Sequence, residues 1–151
     1  MYVVLAFGSN IGNRAKNITN AIKILSKNNI KPIKISKLYK NQALLPAVVP
    51  NFLTLSQWNK ASQMYFLNCV GLFSTSLNAF KLLELIEKIE KKLGKKKLGH
   101  WLPRKIDIDI IFYENLKLNT KKLTIPHKEY KKRAFVLRPL RQIKSFNSCL
   151  K

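Results

Sequence analysis

The stretch Trp101–Ile111 reads WLPRKIDIDII and contains the only two aspartates of the 151-residue chain, Asp107 and Asp109. From Lys105 to Phe112 apolar and polar residues alternate, which is the period of a β-strand. Both aspartates therefore leave the same face of the predicted strand, roughly 6–7 Å apart, at a separation of two strand steps. The other phase of the strand holds Ile106, Ile108, Ile110 and Phe112.

Two carboxylates this close repel each other unless a cation lies between them, and hard divalent cations take oxygen ligands. Arg104 and Trp101 stand directly before the strand, so a bidentate phosphate donor and a flat ring reach the same place. This combination suggests a phosphate ester that carries a flat heterocycle. The spacing of the two aspartates alone also fits an edge strand whose carboxylates are merely solvated.

The composition predicts a single domain covering residues 1–151, because 17.5 kDa with 46% hydrophobic residues is enough for one core. A net charge of +22 and a pI near 10.3 predict attraction to polyanions, namely nucleic acid, acidic membranes or nucleotides. Cys69 and Cys149 are isolated, which indicates neither a zinc site nor a disulfide framework. We expect a cytoplasmic protein, because the apolar run Tyr2–Phe7 is too short for a signal peptide or a membrane span.

The first half of the chain predicts a strand, a helix and a second strand. The run Tyr2–Phe7 is apolar throughout, which is typical of a central strand buried on both faces. Asn13 is placed to cap a helix, and a second strand starts near Ile33 and continues to about Tyr39. Residues 41–63 lack a sustained period and predict a long loop. The apolar stripe of the helix holds Ile18, Ala21, Ile22 and Leu25.

The second half predicts a strand over Tyr65–Thr75, a helix capped by Ser76 or Asn78, and the aspartate strand, which Glu114-Asn115 turns back toward Leu116 and Leu118. Short helices are expected after Pro126 and over residues 137–143. The order is that of a ferredoxin-like α+β fold, a βαββαβ sandwich with two helices on one face of an antiparallel sheet and a C-terminal extension. The stripe of the second helix holds Leu82, Leu83, Ile86, Ile89 and Leu93, and Gly94 ends it.

Four separated segments together resemble the 6-hydroxymethyl-7,8-dihydropterin pyrophosphokinases of folate biosynthesis, and the resemblance covers nearly the whole chain. The segments are FGSNIGN at Phe7–Asn13, FLN at Phe66–Asn68 with the following TSL, WLPRKIDID at Trp101–Asp109, and LTIPH with KRAF between Leu123 and Phe135.

The resemblance implies transfer of pyrophosphate from ATP to the hydroxymethyl group of the reduced pterin, which gives AMP and the pterin diphosphate. Asp107 and Asp109 would hold two Mg²⁺ ions, Arg104 would bind phosphate, and Lys95 would begin a basic loop, Lys95–Lys97, that closes over the nucleotide. The expected partners are therefore the two small substrates, with the protein a monomer that needs neither nucleic acid nor a membrane.

Further site residues are carried over by the same resemblance. Glu87, one of the nucleotide positions, has the alternative role of an ion pair with Lys91, which lies four residues further along the same helix. The pterin positions are Gly8, Asn41, Ala43, Leu44, Phe66, Asn68, Trp101 and Phe135. The nucleotide positions are Glu87, Glu90, Trp101, Arg104, Ile110, Lys122, Thr124, His127 and Arg133.

The chain also departs from the family pattern. Leu102 stands where glycine is usual, Lys95 and Lys122 stand where arginine is common, and Asn41–Leu44 replaces a proline-rich turn that faces the pterin. A catalytically impaired relative is therefore one alternative. A basic RNA-binding module is another, although it does not explain why two aspartates lie beside Arg104.

Overall fold

The centre of the protein is an antiparallel sheet, and the computed structural model describes residues 1–42, 51, 54–56, 59, 64–95 and 104–143. The described strands are β1 (Tyr2–Ser9), β2 (Lys31–Ile35), β3 (Tyr39–Gln42), β4 (Tyr65–Ser74), β5 (Asp107–Tyr113), β6 (Leu118–Asn119) and β7 (Thr124–Ile125). Strands β1 to β5 form one sheet in the order β2-β4-β1-β5, with β3 also paired to β4. The helices are α1 (Arg14–Lys27), α2 (Ala79–Lys92) and α3 (Ala134–Gln142), with a 3₁₀ turn at Tyr130–Lys132.

Helices α1 and α2 cover one face of the sheet, as the sequence predicts, and both begin at an asparagine cap. The Oδ1 atoms of Asn13 and Asn78 accept hydrogen bonds from the backbone nitrogens of Lys16 and Lys81, each at 3.0 Å. These bonds satisfy donors that a helix start leaves open. The face that these helices cover is apolar and includes Val3, Leu5, Phe7, Phe73, Leu25, Leu82 and Ile86.

Helix α3 covers part of the opposite face, where a smaller core contains Val4, Val70, Leu72, Ile111 and Val136. The predicted element order, the two helices on one face and the helix over residues 137–143 are therefore confirmed. Strand β1 lies between β4 and β5, so its prediction as a central strand is also confirmed. No helix among the described residues is long and apolar enough to cross a membrane.

The predicted second strand is wrong in its extent, because it is divided into β2 and β3 around Ser36. At Ser36 a side-chain oxygen takes the place of a backbone carbonyl in the pairing with β4. The Ser36 backbone nitrogen donates to Val70 O at 2.9 Å, and Ser36 Oγ accepts from Val70 N at 3.0 Å. Asn41 and Gln42, predicted as loop, form the end of β3. Most of the predicted long loop lies outside the described residues.

The strict alternation along the aspartate strand is wrong beyond Ile110. Pairing with β1 shifts there, since Leu5 faces Ile110 whereas Val4 faces Phe112, which leaves Ile111 as an extra residue in a β-bulge. The bulge reverses the phase of the strand. Phe112 consequently packs on the α3 face and not with the preceding isoleucines, and Tyr113 takes the core position.

The turn after this strand also differs from the prediction. Glu114 adopts a positive φ of 43°, as a tight turn requires. The chain does not return along β5, however, because β6 pairs with β7 in a separate two-stranded sheet. The short segment that follows covers the outer edge of β5, where His127 N donates to Ile111 O at 3.0 Å.

Candidate active site

The two aspartates lie at one end of the α3 face. Gly8 of β1 is paired with Asn68 of β4 on one side and with Asp107 of β5 on the other, and Ala6 is paired in the same way with Asp109. Residues paired directly across strands project from the same face of a sheet. Asp107 and Asp109 therefore share a face, as their spacing predicts, and that face also holds Asn68.

Asp107 is held between two cations. Its Oδ1 lies 2.6 Å from Lys95 Nζ and its Oδ2 lies 2.8 Å from Arg104 NH1. Burial by itself raises the pKa of the Asp107 carboxyl, but the charges of Lys95 and Arg104 outweigh burial and hold it below its usual value. Asp107 is thus an anion that two cationic side chains neutralise.

Asp109 has a weaker set of partners. Arg133 NH1 lies 2.8 Å from its Oδ2, and His127 Nε2 lies 3.9 Å from the same oxygen. The pKa of Asp109 is raised, first because the group is buried and second because the charge of Asp107 is near. The two carboxylates therefore have unlike environments, and the repulsion between them acts mainly on Asp109.

His127 and Arg133 are both fixed by Glu129. The backbone nitrogen of Glu129 donates to His127 Nδ1 at 3.2 Å, which puts the proton of a neutral imidazole on Nε2, the nitrogen that faces Asp109. The carboxylate of Glu129 accepts from Arg133 NH2 at 3.0 Å. The loop before α3 thus directs two N–H donors toward Asp109.

The residues present fit magnesium. Among the described residues no three His, Cys, Asp or Glu side chains form a closed metal cage. Mg²⁺ is commonly held by one or two carboxylates together with substrate phosphates and water. Two carboxylates on one open face match that requirement, and a cation between them would relieve the repulsion that raises the pKa of Asp109.

Glu90 and Lys95 form a bridge around the edge of β5. Glu90 is buried, and its Oε1 accepts from Ile108 N at 2.8 Å and lies 2.8 Å from Lys95 Nζ. Burial raises the pKa of Glu90 to about 7. Burial would lower the pKa of Lys95, but Asp107 and Glu90 outweigh it and raise that pKa. Lys95 therefore links Glu90, on the α1 and α2 side of the sheet, to Asp107 on the α3 side.

Gly8, which is paired with Asp107, leaves a space without a side chain that we call the Gly8 cradle. A Cβ atom added at Gly8 would lie 3.1 Å from Asn68 Oδ1 and 3.7 Å from Phe66 Cδ1. Asn68 is only 4% exposed. Phe135, at the start of α3, is half-buried and lies below the Arg133 guanidinium, 5.8 Å from ring centroid to Cζ. An amide oxygen and the Phe66 ring therefore border the place where Gly8 has no side chain, and such a lining suits a flat, polar-edged ring.

Several residues assigned by resemblance make no side-chain hydrogen bond or ion pair with the two aspartates in the part of the chain that the structure describes. Glu87 and Lys122 are exposed, and within the described residues Glu87 makes no ion pair with Lys91. The side chain of Ile110 is 4% exposed and packs in the core on the α1 and α2 face, and its role toward the nucleotide stays a prediction. Thr124 lies on β7. Ala43, Leu44, Lys96, Lys97, Trp101 and Leu102 lie outside the described residues.

Two residues of the site received no role from the sequence. Asn10 is buried, its Oδ1 accepts from Arg104 N at 2.5 Å, and its backbone nitrogen donates to Arg104 O at 3.1 Å. It therefore fixes the backbone from which Arg104 reaches Asp107. The signal was its place in the FGSNIGN segment. Glu129 has no comparable signal, because it lies in an irregular stretch between Pro126 and α3.

Comparison with known proteins identifies the family. Residues 4–145 match the family model of 7,8-dihydro-6-hydroxymethylpterin-pyrophosphokinase (HPPK). The chain is 38% identical over 141 residues to the 2-amino-4-hydroxy-6-hydroxymethyldihydropteridine pyrophosphokinase of Aquifex aeolicus, covering 93% of this chain and 79% of that protein. It is 33% identical over 140 residues to the Bacillus subtilis protein of the same name, covering 92% and 75%.

A solved HPPK-DHPS structure from Plasmodium falciparum shares the fold with a TM-score of 0.61 at 20% identity, covering 93% of this chain and 40% of that one. Other relatives are also much longer: the chain spans 17% of a folic acid synthesis protein of Pneumocystis carinii and 35% of a bifunctional protein of Lactococcus lactis. The match over residues 4–145 nevertheless includes every part of the site described above. The chain therefore belongs to the 7,8-dihydro-6-hydroxymethylpterin-pyrophosphokinase family.

Proposed function

We propose that this protein transfers the pyrophosphoryl group of ATP to the hydroxymethyl group of 6-hydroxymethyl-7,8-dihydropterin, giving AMP and the pterin diphosphate. The observation that carries the proposal is the pair Asp107 and Asp109 on one open face, next to the Gly8 cradle. The pair supplies metal ligands, and the cradle supplies a place for a flat ring. The family match supplies the identities of the two substrates.

Asp107 and Asp109 would hold two Mg²⁺ ions. Magnesium bound there would offset the negative charge that collects on the triphosphate oxygens during transfer. The lowered pKa of Asp107 supports this role, because a metal ligand must be deprotonated.

Three cations of the chain would change partners when ATP arrives. Lys95, Arg104 and Arg133 each contact an aspartate oxygen at 2.6–2.8 Å. With Mg²⁺ held by the carboxylates, the same three side chains would be available to bind phosphate oxygens. Arginine is suited to this exchange, since its planar fork matches phosphate as well as carboxylate.

The remaining residues orient the two substrates. Nε2–H of His127 would donate to a phosphate oxygen, and Phe66 and Phe135 would contact the faces of the pterin. Asn68 Oδ1 would accept from an N–H group on the edge of the pterin. The hydroxymethyl oxygen would then lie near the aspartates, because Gly8 is paired with both Asn68 and Asp107. Holding the two substrates in this order replaces a random encounter by a fixed approach of oxygen to phosphorus.

The proposal also covers the compartment, the oligomeric state and the co-substrate of the enzyme. We propose a cytoplasmic monomer with ATP as co-substrate. Burial raises the pKa of the free Cys69 thiol to about 12, which is consistent with an unreactive structural residue. Sedimentation of the purified protein over a concentration series would test the monomer.

The decisive experiment measures AMP release from ATP by purified protein, with and without 6-hydroxymethyl-7,8-dihydropterin and with and without Mg²⁺. We expect AMP only when pterin and Mg²⁺ are both present, with equimolar pterin diphosphate. Folded protein that forms no pterin-dependent AMP would contradict the proposal. A titration with RNA against salt concentration would then test the RNA-binding alternative.

A further inference from the structure

The orientation of the Asn68 amide is set by β3, the strand next to it. Asn68 Nδ2 donates to the backbone oxygen of Tyr39 at 3.4 Å and to Asn41 Oδ1 at 2.5 Å. Tyr39 is the residue paired with Asn68, and Asn41 lies two positions further along β3, opposite Phe66. Both hydrogens of the amide are therefore directed at β3. Its Oδ1 is left on the side of Gly8, 3.1 Å from the position of a Cβ at that residue.

The amide of Asn41 is fixed in turn by its own strand. Asn41 Nδ2 donates to the backbone oxygen of Gln42 at 2.6 Å, so Asn41 Oδ1 must be the atom that faces Asn68. Backbone carbonyl oxygens stand at both ends of this chain of hydrogen bonds, and a carbonyl oxygen can only accept. The directions of both amides therefore follow from the network, because either reversal would bring two acceptors together.

We propose that Asn41 is a positioning residue that determines pterin specificity through Asn68 and does not itself contact the pterin. The proposal rests on the proposed function and deepens it. By holding the Asn68 amide in one of its two orientations, Asn41 presents an acceptor to the cradle and excludes the donor. A ring with N–H groups on its edge is thereby preferred over one with oxygen acceptors at the same place.

The test is a double-mutant cycle on Asn41→Ala and Asn68→Ala, read by kcat and by KM for each substrate. We expect Asn41→Ala to raise the KM for the pterin about five- to tenfold, the effect of one hydrogen bond. The KM for ATP and the thermal midpoint should stay near wild type. In the Asn68→Ala background, Asn41→Ala should have no further effect, because a residue that acts through another shows non-additive changes.

Two further variants separate positioning from strand structure. Asn41→Asp keeps the oxygen that accepts from Asn68 Nδ2, so it should restore most of the pterin affinity that Asn41→Ala loses. Gln42→Ala is the matched control, since it trims an exposed neighbour and leaves the backbone carbonyl in place. It should behave as wild type.

The outcomes are distinguishable from failure of the proposed function. A wild-type protein without pterin-dependent AMP overturns the function. Active wild type with an unchanged pterin KM in Asn41→Ala overturns only the positioning role. Additive effects of the two alanine substitutions would show that Asn41 contacts the pterin directly, and an equal rise in both KM values would show that it only holds β3 in shape. Either result overturns the inference.

Discussion

The two faces of the central sheet use the same strands for opposite purposes. Under α1 and α2, the residues Leu5, Phe7 and Phe73 are at most 1% exposed and belong to one apolar core. On the other face, near the end of β1, Gly8 has no side chain and lies between the amide of Asn68 and the carboxylate of Asp107. Burial of apolar area stabilises the first face. On the second face, ion pairs and hydrogen bonds satisfy the buried polar side chains.

The difference teaches where this protein tolerates unfavourable electrostatics. Asp107 and Asp109 are near neighbours, and the raised pKa of Asp109 reflects both burial and the charge of Asp107. We expect that this pair is not needed for folding, because the other face supplies a continuous apolar core. The two faces should therefore respond differently to substitution, one in stability and the other in activity.

The largest expected effect is on the apolar face. Phe73→Ala removes a ring that is 0% exposed and packs 5.8 Å from that of Phe7, so the free energy of unfolding should fall by about 3–5 kcal/mol. Urea denaturation measures it. Phe80→Ala is the matched control, because Phe80 is 43% exposed on α2. Equal losses in the two variants would show that the apolar face is not the main source of stability.

The opposite face should respond in activity. Asp107→Ala removes a proposed metal ligand, and we expect kcat to fall at least about a hundredfold, because even residues that only support metal ligands are worth about 10–100-fold. Steady-state AMP release at saturating substrates measures it. Glu84→Ala, an equal change of charge at an exposed position of α2, should keep wild-type activity. Retention of activity by Asp107→Ala would disprove the metal site.

Gly71 on the α1 and α2 face and Gly8 on the α3 face allow the same glycine-to-alanine substitution to be compared on the two faces. A Cβ at Gly71 would lie 2.5 Å from Ile35 Cδ1 and 2.6 Å from Phe73 Cε2, so Gly71→Ala should lower the free energy of unfolding by about 1–3 kcal/mol. At Gly8 the nearest atom would be Asn68 Oδ1, at 3.1 Å. Gly8→Ala should therefore raise the KM for the pterin while stability changes by less than about 1 kcal/mol.

Urea denaturation and pterin kinetics on both glycine variants check this pair. The contrast would fail if Gly8→Ala lost as much stability as Gly71→Ala, or if Gly71→Ala alone impaired pterin binding.

The smallest effect concerns Glu90, where the two faces meet at the edge of β5. Its pKa rises from 4.5 to about 7 on folding, mainly through burial, so the protonated form is favoured in the folded state. The contribution of Glu90 to stability is therefore greatest below about pH 4.5 and declines as the pH rises to about 7. Glu90→Gln keeps the acceptor for Ile108 N and removes this dependence.

We expect the free energy of unfolding of Glu90→Gln, minus that of wild type, to increase between pH 4.5 and pH 8, because only wild type has the carboxyl whose pKa is raised on folding. Urea denaturation at both pH values measures the difference. A difference that is independent of pH would show that Lys95 compensates the carboxylate fully.

Much of the fold could be predicted from local patterns. The helix over Arg14–Lys27 was predicted from an asparagine cap and an apolar stripe, and the central place of β1 from its continuous apolar run. The shared face of Asp107 and Asp109 follows from the period of a strand, and it needs only one correct local assignment. These features depend on residues that are close in sequence.

The parts that could not be predicted depend on residues far apart in sequence. The bulge at Ile111 arises from the register between β1 and β5, and the break at Ser36 depends on hydrogen bonds with Val70. Nothing local in the sequence indicates either one. Asn10 likewise meets Arg104 across 94 positions of the chain.

The sequence by itself therefore determined most of the helices and strands, the family and the pair of aspartates. Only the tertiary structure decided which cation neutralises which carboxylate and which atom of Asn68 faces the cradle. The physical reason is that hydrogen bonds and ion pairs depend on direction and on distances of about 3 Å. Sequence periodicity specifies a face, whereas strand register and side-chain packing specify the partner.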